Sequence, residues 1–363
     1  MTRNFIFSMD SHVVEPRGLW QDLLPASLKD RGLRTERDGQ YITMIGDNKK
    51  IHRMQIGDGV SDNPRIGGTN PDLRFKDMLK DGVDGELIFP NLGMLAYMLE
   101  DPELELACRQ IYNDWLMKQF GPYPDTFVPC AVLPLKKVSE TLDEFNRVIK
   151  LGYRTAMLPT YTGDGLRYNN PSLDPIWARA EASRFPLCFH VASGQQPVSE
   201  RGPGAALINY MALGFTTQEM LTHFVGGGAL DRHPMMNIVV VEAGASWMVS
   251  LGERMDEVYN AHQFYVKPKL SRKPSEILYS QVKATFQFDQ ACLKTIPQTG
   301  HECLVWASDY PHMEGTFPQS QKVIDEVFGS IKLPQQIESD ILGGTAARMF
   351  GITPKKLSQK VII

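Results

Sequence analysis

Four residues spread almost end to end could act on one small centre. Asp10 and His12 in FIFSMDSHVVEP, His190 at the end of PLCFH and Asp309 after CLVWAS each close an apolar, strand-like run. Two carboxylates and two imidazoles form a mixed oxygen and nitrogen donor set for one divalent ion, with a position left open to water or substrate. On a strand, residues i and i+2 share a face, so Asp10 and His12 can converge on one point. Singly, each has a plainer reading: a turn cap, a loop histidine, a core histidine, a helix cap. Together they argue for a site, since a buried carboxylate such as Asp309 is costly unless a metal or a donor offsets it. Glu15 is expected to accept hydrogen bonds in its own loop or to orient the ligands from behind. Pro311 ends the last run, and His312 is placed to enter the same mouth.

Elements that could hold these residues alternate along the chain. Apolar runs at Phe5–Met9, Glu86–Pro90, Phe127–Leu133, Thr155–Pro159, Leu187–His190, Ile238–Val241, Ala284–Phe288 and Leu304–Ala307 read as eight strands. Between them lie amphipathic stretches with helix signals. DPELELACRQIYNDWLMKQF opens on Asp101-Pro102, and VSETLDEFNRVIKLG ends on Gly152. SLDPIWARAEASR, TTQEMLTHFVGG and SWMVSLGERMDEVYNAHQF follow the same logic, and PQQIESDILGGTAARMFG reads as a final packing helix weakened at Gly343-Gly344. The pattern predicts an α/β fold, a (β/α)8 TIM barrel forming a single domain over residues 1–363. Residues 17–71, which show no sustained period, are expected to be an insertion or lid after strand 1. Residues 193–215 are expected to be a long loop after strand 5, and the last helix a C-terminal extension.

Composition narrows the partners. Of 363 residues, 42% are hydrophobic and 22% charged, with a net charge of -4, which suits a globular chain with a sizeable core and offers no basic excess for nucleic acid. Five cysteines without a CxxC pair argue against a disulfide framework or a thiolate zinc site. No run approaches the ~20 apolar residues of a membrane span, and the N-terminus has no signal-peptide pattern, so cytoplasmic residence is the expectation. Other signals are weaker. Gly226-Gly227-Gly228 reads as a helix-ending turn, His223 as a packed or surface residue, and His233-Pro234 as a turn before strand 6. His52-Arg53 in the insertion could reach the mouth, where Arg53 would bind an anion, or form an exposed pair. Tyr161, Tyr168, Asn209 and Tyr210 could shape an apolar or aromatic substrate pocket.

With these residues in place, the chain resembles the amidohydrolase superfamily. Within it, the resemblance is to the amidohydrolase-related branch containing aminocarboxymuconate-semialdehyde decarboxylase and γ-resorcylate decarboxylase. It rests on MDSHVVEP, FHVASG, GGALDRHPMMNIVVVEAGASW, RMDEVY, WASDYPHMEG and GGTAARMFG and covers nearly the whole chain. It implies that Asp10 and His12 stand for the branch's ExH or HxH ligand pair, that His190 and Asp309 complete the set, and that Asp309 also transfers protons. It implies one divalent ion, zinc being favoured over manganese or magnesium, a small-molecule substrate, and a homo-oligomer, dimer or tetramer. The chain departs from the branch after strand 6, where VVVEAGAS carries Glu242 in place of a histidine.

Three functions are consistent with these residues. The leading expectation is metal-dependent hydrolysis, with metal-activated water, Asp309 as general acid/base and Glu242 assisting. The alternative is non-oxidative decarboxylation of a hydroxylated aromatic or related carboxylate, with Asp309 protonating the ring carbon. The third is a catalytically inactive barrel that binds a small molecule.

Overall fold

The structure, a computed structural model, describes residues 4–55, 66–163, 165–195 and 200–358. Parts of two expected segments, 56–65 of the insertion and 196–199 of the long loop, lie outside the described residues.

Eight barrel staves run parallel. Phe7–Ser8 (β1) pairs with Gly85–Ile88 (β5), and β5 with Phe127–Pro129 (β6). Ala131–Val132 (β7) continues β6 beyond Cys130 and pairs with Ala156–Pro159 (β8). The order continues through Leu187–His190 (β9), Ile238–Val241 (β10), Val282–Phe286 (β11) and Leu304–Trp306 (β12). The ring closes where Met9 N–H donates to Trp306 O at 3.0 Å and Asp309 N–H donates to Asp10 O at 3.0 Å. Ser8 and Ser308 reinforce this seam: Ser308 N–H donates to Ser8 Oγ at 2.8 Å, and the two hydroxyls meet at 2.9 Å. The stave residues are buried on both faces, which is why they read as continuous apolar runs rather than alternating ones.

Most staves differ from the expected bounds by a residue or two at one or both ends, and two differ in kind. The third is divided at Cys130, whose N–H still donates to Ile88 O at 2.9 Å. The seventh begins two residues earlier than expected, because it includes Lys283, a charge that the apolar pattern skips but that is only 7% exposed.

The insertion is more regular than its composition suggests. Arg34–Asp38 (β2), Tyr41–Gly46 (β3) and Lys49–Gln55 (β4) form an antiparallel three-stranded sheet. Asp47 and Asn48, at φ 52° and 57°, supply the two left-handed residues that a tight two-residue hairpin requires. The expected loop over 193–215 is also shorter than predicted, because one helix, Ala205–Gly226, begins inside it. Its first half, AALINYMALGF, lacks a polar face, and so it resembles a loop more than an amphipathic helix.

Other helices follow their caps. Asp101 Oδ1 accepts from Glu103 N–H at 2.9 Å at the start of Pro102–Phe120. The C-terminal helix widens at Asp340–Gly344, where a Cβ on Gly343 would come within 2.8 Å of Phe5 O. That close approach presses the helix against β1 and β12. No helix among the described residues is long and apolar enough to cross a membrane.

One polar strut braces the seam. Arg74, fully buried on the helix Pro71–Asp81, donates from Nε to Glu86 Oε2 at 2.5 Å and from its terminal nitrogen to His12 O at 2.7 Å. Its guanidinium also lies 4.8 Å from the ring centroid of Tyr310. Arg74→Met leaves the Glu86 carboxylate buried without its partner and should destabilise the fold by ~3–5 kcal/mol. Equilibrium urea unfolding measures this. The double replacement Arg74→Met/Glu86→Met should recover most of the loss, and a single variant as stable as wild type would contradict the strut.

Candidate metal centre

The C-terminal ends of β1, β9, β10 and β12 deliver the chemistry. Past β1 the chain stays extended, and its faces are fixed by bonds on both sides. Asp10 O accepts from Asp309 N–H, Ser11 Oγ donates to Leu87 O at 2.7 Å, and His12 O is held by Arg74. His190 ends β9 on a tight turn in which Ser193 Oγ bonds His190 O at 2.5 Å and accepts from Thr160 N–H at 2.9 Å. Gly194 follows at φ 84°, where a Cβ would collide with Tyr161 O, and this explains the FHVASG string physically. Glu242 and Asp309 both hold left-handed backbones, at φ 63° and 54°. Such conformations are uncomfortable for residues with side chains and concentrate at functional sites.

The tautomers of the two histidines can be argued from their partners. His12 Nδ1 lies 2.8 Å from Pro90 O and His190 Nδ1 lies 2.9 Å from Val191 O. A carbonyl only accepts, so each Nδ1 carries a proton, and in the neutral ring, the form that binds metal, each Nε2 offers a lone pair. These two Nε2 atoms face one another at 3.0 Å. Asp10 Oδ1 is 3.4 Å from the first and 3.6 Å from the second, and Asp309 Oδ1 is 3.5 Å from His12 Nε2. Glu242 Oε2 lies 3.5 Å from His190 Nε2.

A divalent ion fits this arrangement. All four oxygens of Asp10 and Asp309 are buried without a hydrogen-bond donor among the described residues. His312 Nδ1 does approach Asp309 Oδ1 to 2.9 Å, an ion-pair distance without the alignment of a hydrogen bond. Facing lone pairs and orphaned carboxylates repel unless a cation lies between them, and an ion ~2.1 Å from each nitrogen spans such a gap. Two overlapping donor groups can be drawn, Asp10, His12, His190 and Glu242, or His12, Glu242, Asp309 and His312. His12 has one free ring nitrogen, so they describe one ion position with alternative donors rather than two ions.

Electrostatics agree. Burial alone would raise the Asp10 pKa, but the adjoining His12 and His190 hold it well below the carboxylate range. Burial and the charge of Asp309 push Glu242 up to about 8, and burial pushes Asp309 up to about 6. Burial opposes a charged His190, yet Asp10 and Glu242 raise it to about 9. Without an ion, a proton on His190 does part of an ion's work, so metal binding releases it.

Above the centre opens a cavity of about 740 Å³ whose walls include Met44, Met94, Leu95, Val191, Phe215 and Trp247. His312 stacks on His12 with ring centroids 4.1 Å apart and lines the cavity beside Glu242. Tyr210 also lines it, its hydroxyl donating to Glu314 at 3.0 Å, and Asn209 stands next to it.

Two sequence expectations need correction, the place of Arg53 and that of the tyrosines, and a third position, Glu15, takes one of its two expected roles. Arg53 does not reach the mouth. It stacks 4.2 Å over the Tyr41 ring on the outer face of the insertion sheet, while its neighbour His52, opposite Met44, faces the cavity. Strand alternation decides this, and the hairpin had to be recognised to use it. Tyr161 lies outside the cavity lining, and Tyr168 is core, its hydroxyl bonded to Pro159 O at 2.6 Å. Glu15 touches none of the ion-facing side chains. It accepts from Asn91, Leu92 and Gly93 N–H groups at 2.7–3.1 Å, fixing the turn whose Pro90 carbonyl orients His12. Sequence reasoning missed Asp289, which accepts from Ala245 and Ser246 N–H groups at 2.9 and 2.7 Å and so steadies the loop after Glu242.

Two measurements test this centre. Metal analysis of purified protein should find one divalent ion per chain, and His190→Ala should abolish it. Chelation should lower Tm, since the ion binds the folded site alone. Unchanged Tm after complete removal would mean that the carboxylates are satisfied without an ion.

Comparisons with known proteins are consistent with this architecture. An amidohydrolase from Mycobacterium avium subsp. paratuberculosis superposes with a TM-score of 0.80 at 19% identity, over 97% of this chain and 99% of that one. A 5-carboxyvanillate decarboxylase from Sphingomonas paucimobilis gives 0.71 at 21%, over 97% and 100%. A dihydroxybenzoic acid decarboxylase from Polaromonas sp., solved with manganese and the inhibitor 2-nitroresorcinol, gives 0.64 at 15%, over 96% and 97%. At these identities the likeness speaks to the fold. The amidohydrolase sequence profile matches residues 51–352, from the last strand of the insertion to the end of the C-terminal helix. The chain therefore belongs to the amidohydrolase family and is a metal-dependent enzyme with a (β/α)8 barrel.

Proposed function

We propose that this enzyme is a non-oxidative decarboxylase of a hydroxylated aromatic carboxylate. The observation that carries the reading is the cavity, mostly apolar in its lining and roomy enough for an aromatic ring, which ends on a cluster of side chains able to hold an ion. The decarboxylases of 5-carboxyvanillate and dihydroxybenzoic acid that share the fold add support. Asp10, His12, His190 and Asp309 would hold the ion, manganese or zinc, with Glu242 adjacent. When bound, the ion supplies a positive anchor for the substrate carboxylate and its neighbouring hydroxyl.

The remaining work falls to the chain. Met94, Leu95 and Trp247 would clamp the ring and exclude water. Asp309, paired with His312 at the edge of the ion position, delivers a proton to the ring carbon that bears the carboxylate. The new C–H bond forms, the bond to the carboxyl carbon breaks, its electron pair restores the aromatic ring, and CO2 leaves. Asp309 ends as a carboxylate, and His312, 2.9 Å away and partly exposed, returns a proton from solvent.

Glu242 favours a second reading, hydrolysis. A carboxylate beside the ion repels an anionic substrate and could serve as a base toward water. The two readings separate on products. Protein loaded with manganese, and separately with zinc, should release CO2 and an equal amount of phenol from a panel of ortho-hydroxybenzoates. Turnover of esters, lactones or amides with no CO2 from the acids would overturn decarboxylation in favour of hydrolysis.

Asp309→Asn should lower kcat by ~10³-fold or more while Tm stays near wild type, because the amide keeps the shape and loses the transferable proton. Glu242→Gln should lower the rate more than the stability, and normal kinetics would make Glu242 structural.

A further inference from the structure

Lys283 is the least expected residue of the barrel. It sits at the N-terminal end of β11, at the opposite pole from the ion-binding side chains, and is 7% exposed. Its ammonium donates to Ser280 O at 3.0 Å and forms no ion pair among the described residues. An ammonium has three donors and a high cost of burial, so one carbonyl leaves it poorly satisfied. Burial accordingly pulls its pKa below the ordinary lysine value.

Lys283 does not face solid protein. It lines a cavity of about 350 Å³ bounded by the segments entering β9, β10 and β12 and by the C-terminal helix. Two more cations line the same space. Arg184 belongs to the turn leading into β9, and its guanidinium makes no hydrogen bond or ion pair among the described residues. Arg348 comes from the C-terminal helix and is braced by Asp340 at 2.6 Å. The lining holds one carboxylate, Glu302, which is exposed and makes no ion pair with Lys283. With Arg348 paired to Asp340 and Glu302 turned to solvent, Lys283 and Arg184 remain two cations without an ion pair among the described residues, one of them buried, and make a receptor for negative charge. A purely structural lysine at this depth would be expected to meet a carboxylate.

We propose that this cavity binds a small oxyanion, a phosphoryl or dicarboxylate group, held by Lys283, Arg184 and Arg348 at the N-terminal end of the barrel. The bound anion bridges the feet of β9 to β12 and the C-terminal helix, and so locks that helix to the barrel. The site is independent of the reaction assigned to the metal centre and stands or falls without it.

Inorganic phosphate is the probe. Equilibrium dialysis and phosphate-dependent Tm shifts are measured on the metal-loaded enzyme and on chelator-treated enzyme, since phosphate could also bind the active-site ion. The expected result is saturable binding of one phosphate per chain that survives chelation. Lys283→Met and Arg184→Gln should each weaken it about tenfold. If Lys283→Met does not fold, Arg184→Gln, at an exposed residue, carries the test. Displacement by succinate would extend the class to dicarboxylates, and failure to displace would confine it to phosphoryl groups; both leave the site standing. Absence of saturable binding, loss of binding on chelation, or wild-type affinity in Arg184→Gln would overturn the proposal.

Discussion

The seam between the first and last barrel strands is the constraint on which the rest depends. Asp10 and Asp309 lie far apart in the chain, yet one peptide hydrogen bond joins their backbones, with the Ser8 and Ser308 hydroxyls stacked beneath it. Closing so long a loop costs entropy that only the whole cooperative ring of parallel strands can offset. Once closed, the seam places one strand's Asp-Ser-His beside another's Asp-Tyr-Pro-His at fixed register. The Arg74 strut ties both halves to the next stave.

A second layer converts this register into chemistry. The carbonyls of Pro90 and Val191 set which ring nitrogen of each histidine is free, and Glu15, Ser193 and Asp289 hold the turns behind His12, His190 and Glu242. None of these second-layer groups touches the ion position, yet each removes a degree of freedom from a residue that does. The result is a concentration of acceptors with few donors, which the fold tolerates because an ion binds along with the folding of the chain.

Much of this was legible in the sequence, for identifiable reasons. Strands buried on both faces leave unbroken apolar runs, so the staves and the polar residues that end them could be found. Asp10, His12, His190 and Asp309 come together as expected, with Glu242 and His312 among them. What escaped notice depends on side-chain direction or on contacts distant in sequence. The alternation that turns His52 inward and Arg53 outward belongs to a hairpin that leaves no clear period in the sequence. A charge interrupts a hydrophobic pattern, so Lys283 falls outside the strand that the pattern predicts. Arg74 gives no local signal, since its partners, Glu86 and the His12 carbonyl, lie on other elements.

The left-handed backbones at Glu242 and Asp309 tell something about how such an enzyme can change over time. Both conformations suit glycine, and to a lesser degree asparagine, better than the residues present. A chain freed from its reaction and retained only for its fold would gain by exchanging them, by roughly 1 kcal/mol at each position. Selection for durability and selection for turnover therefore pull these two codons in opposite directions. An acidic residue at each therefore carries a conformational cost that its chemistry must offset.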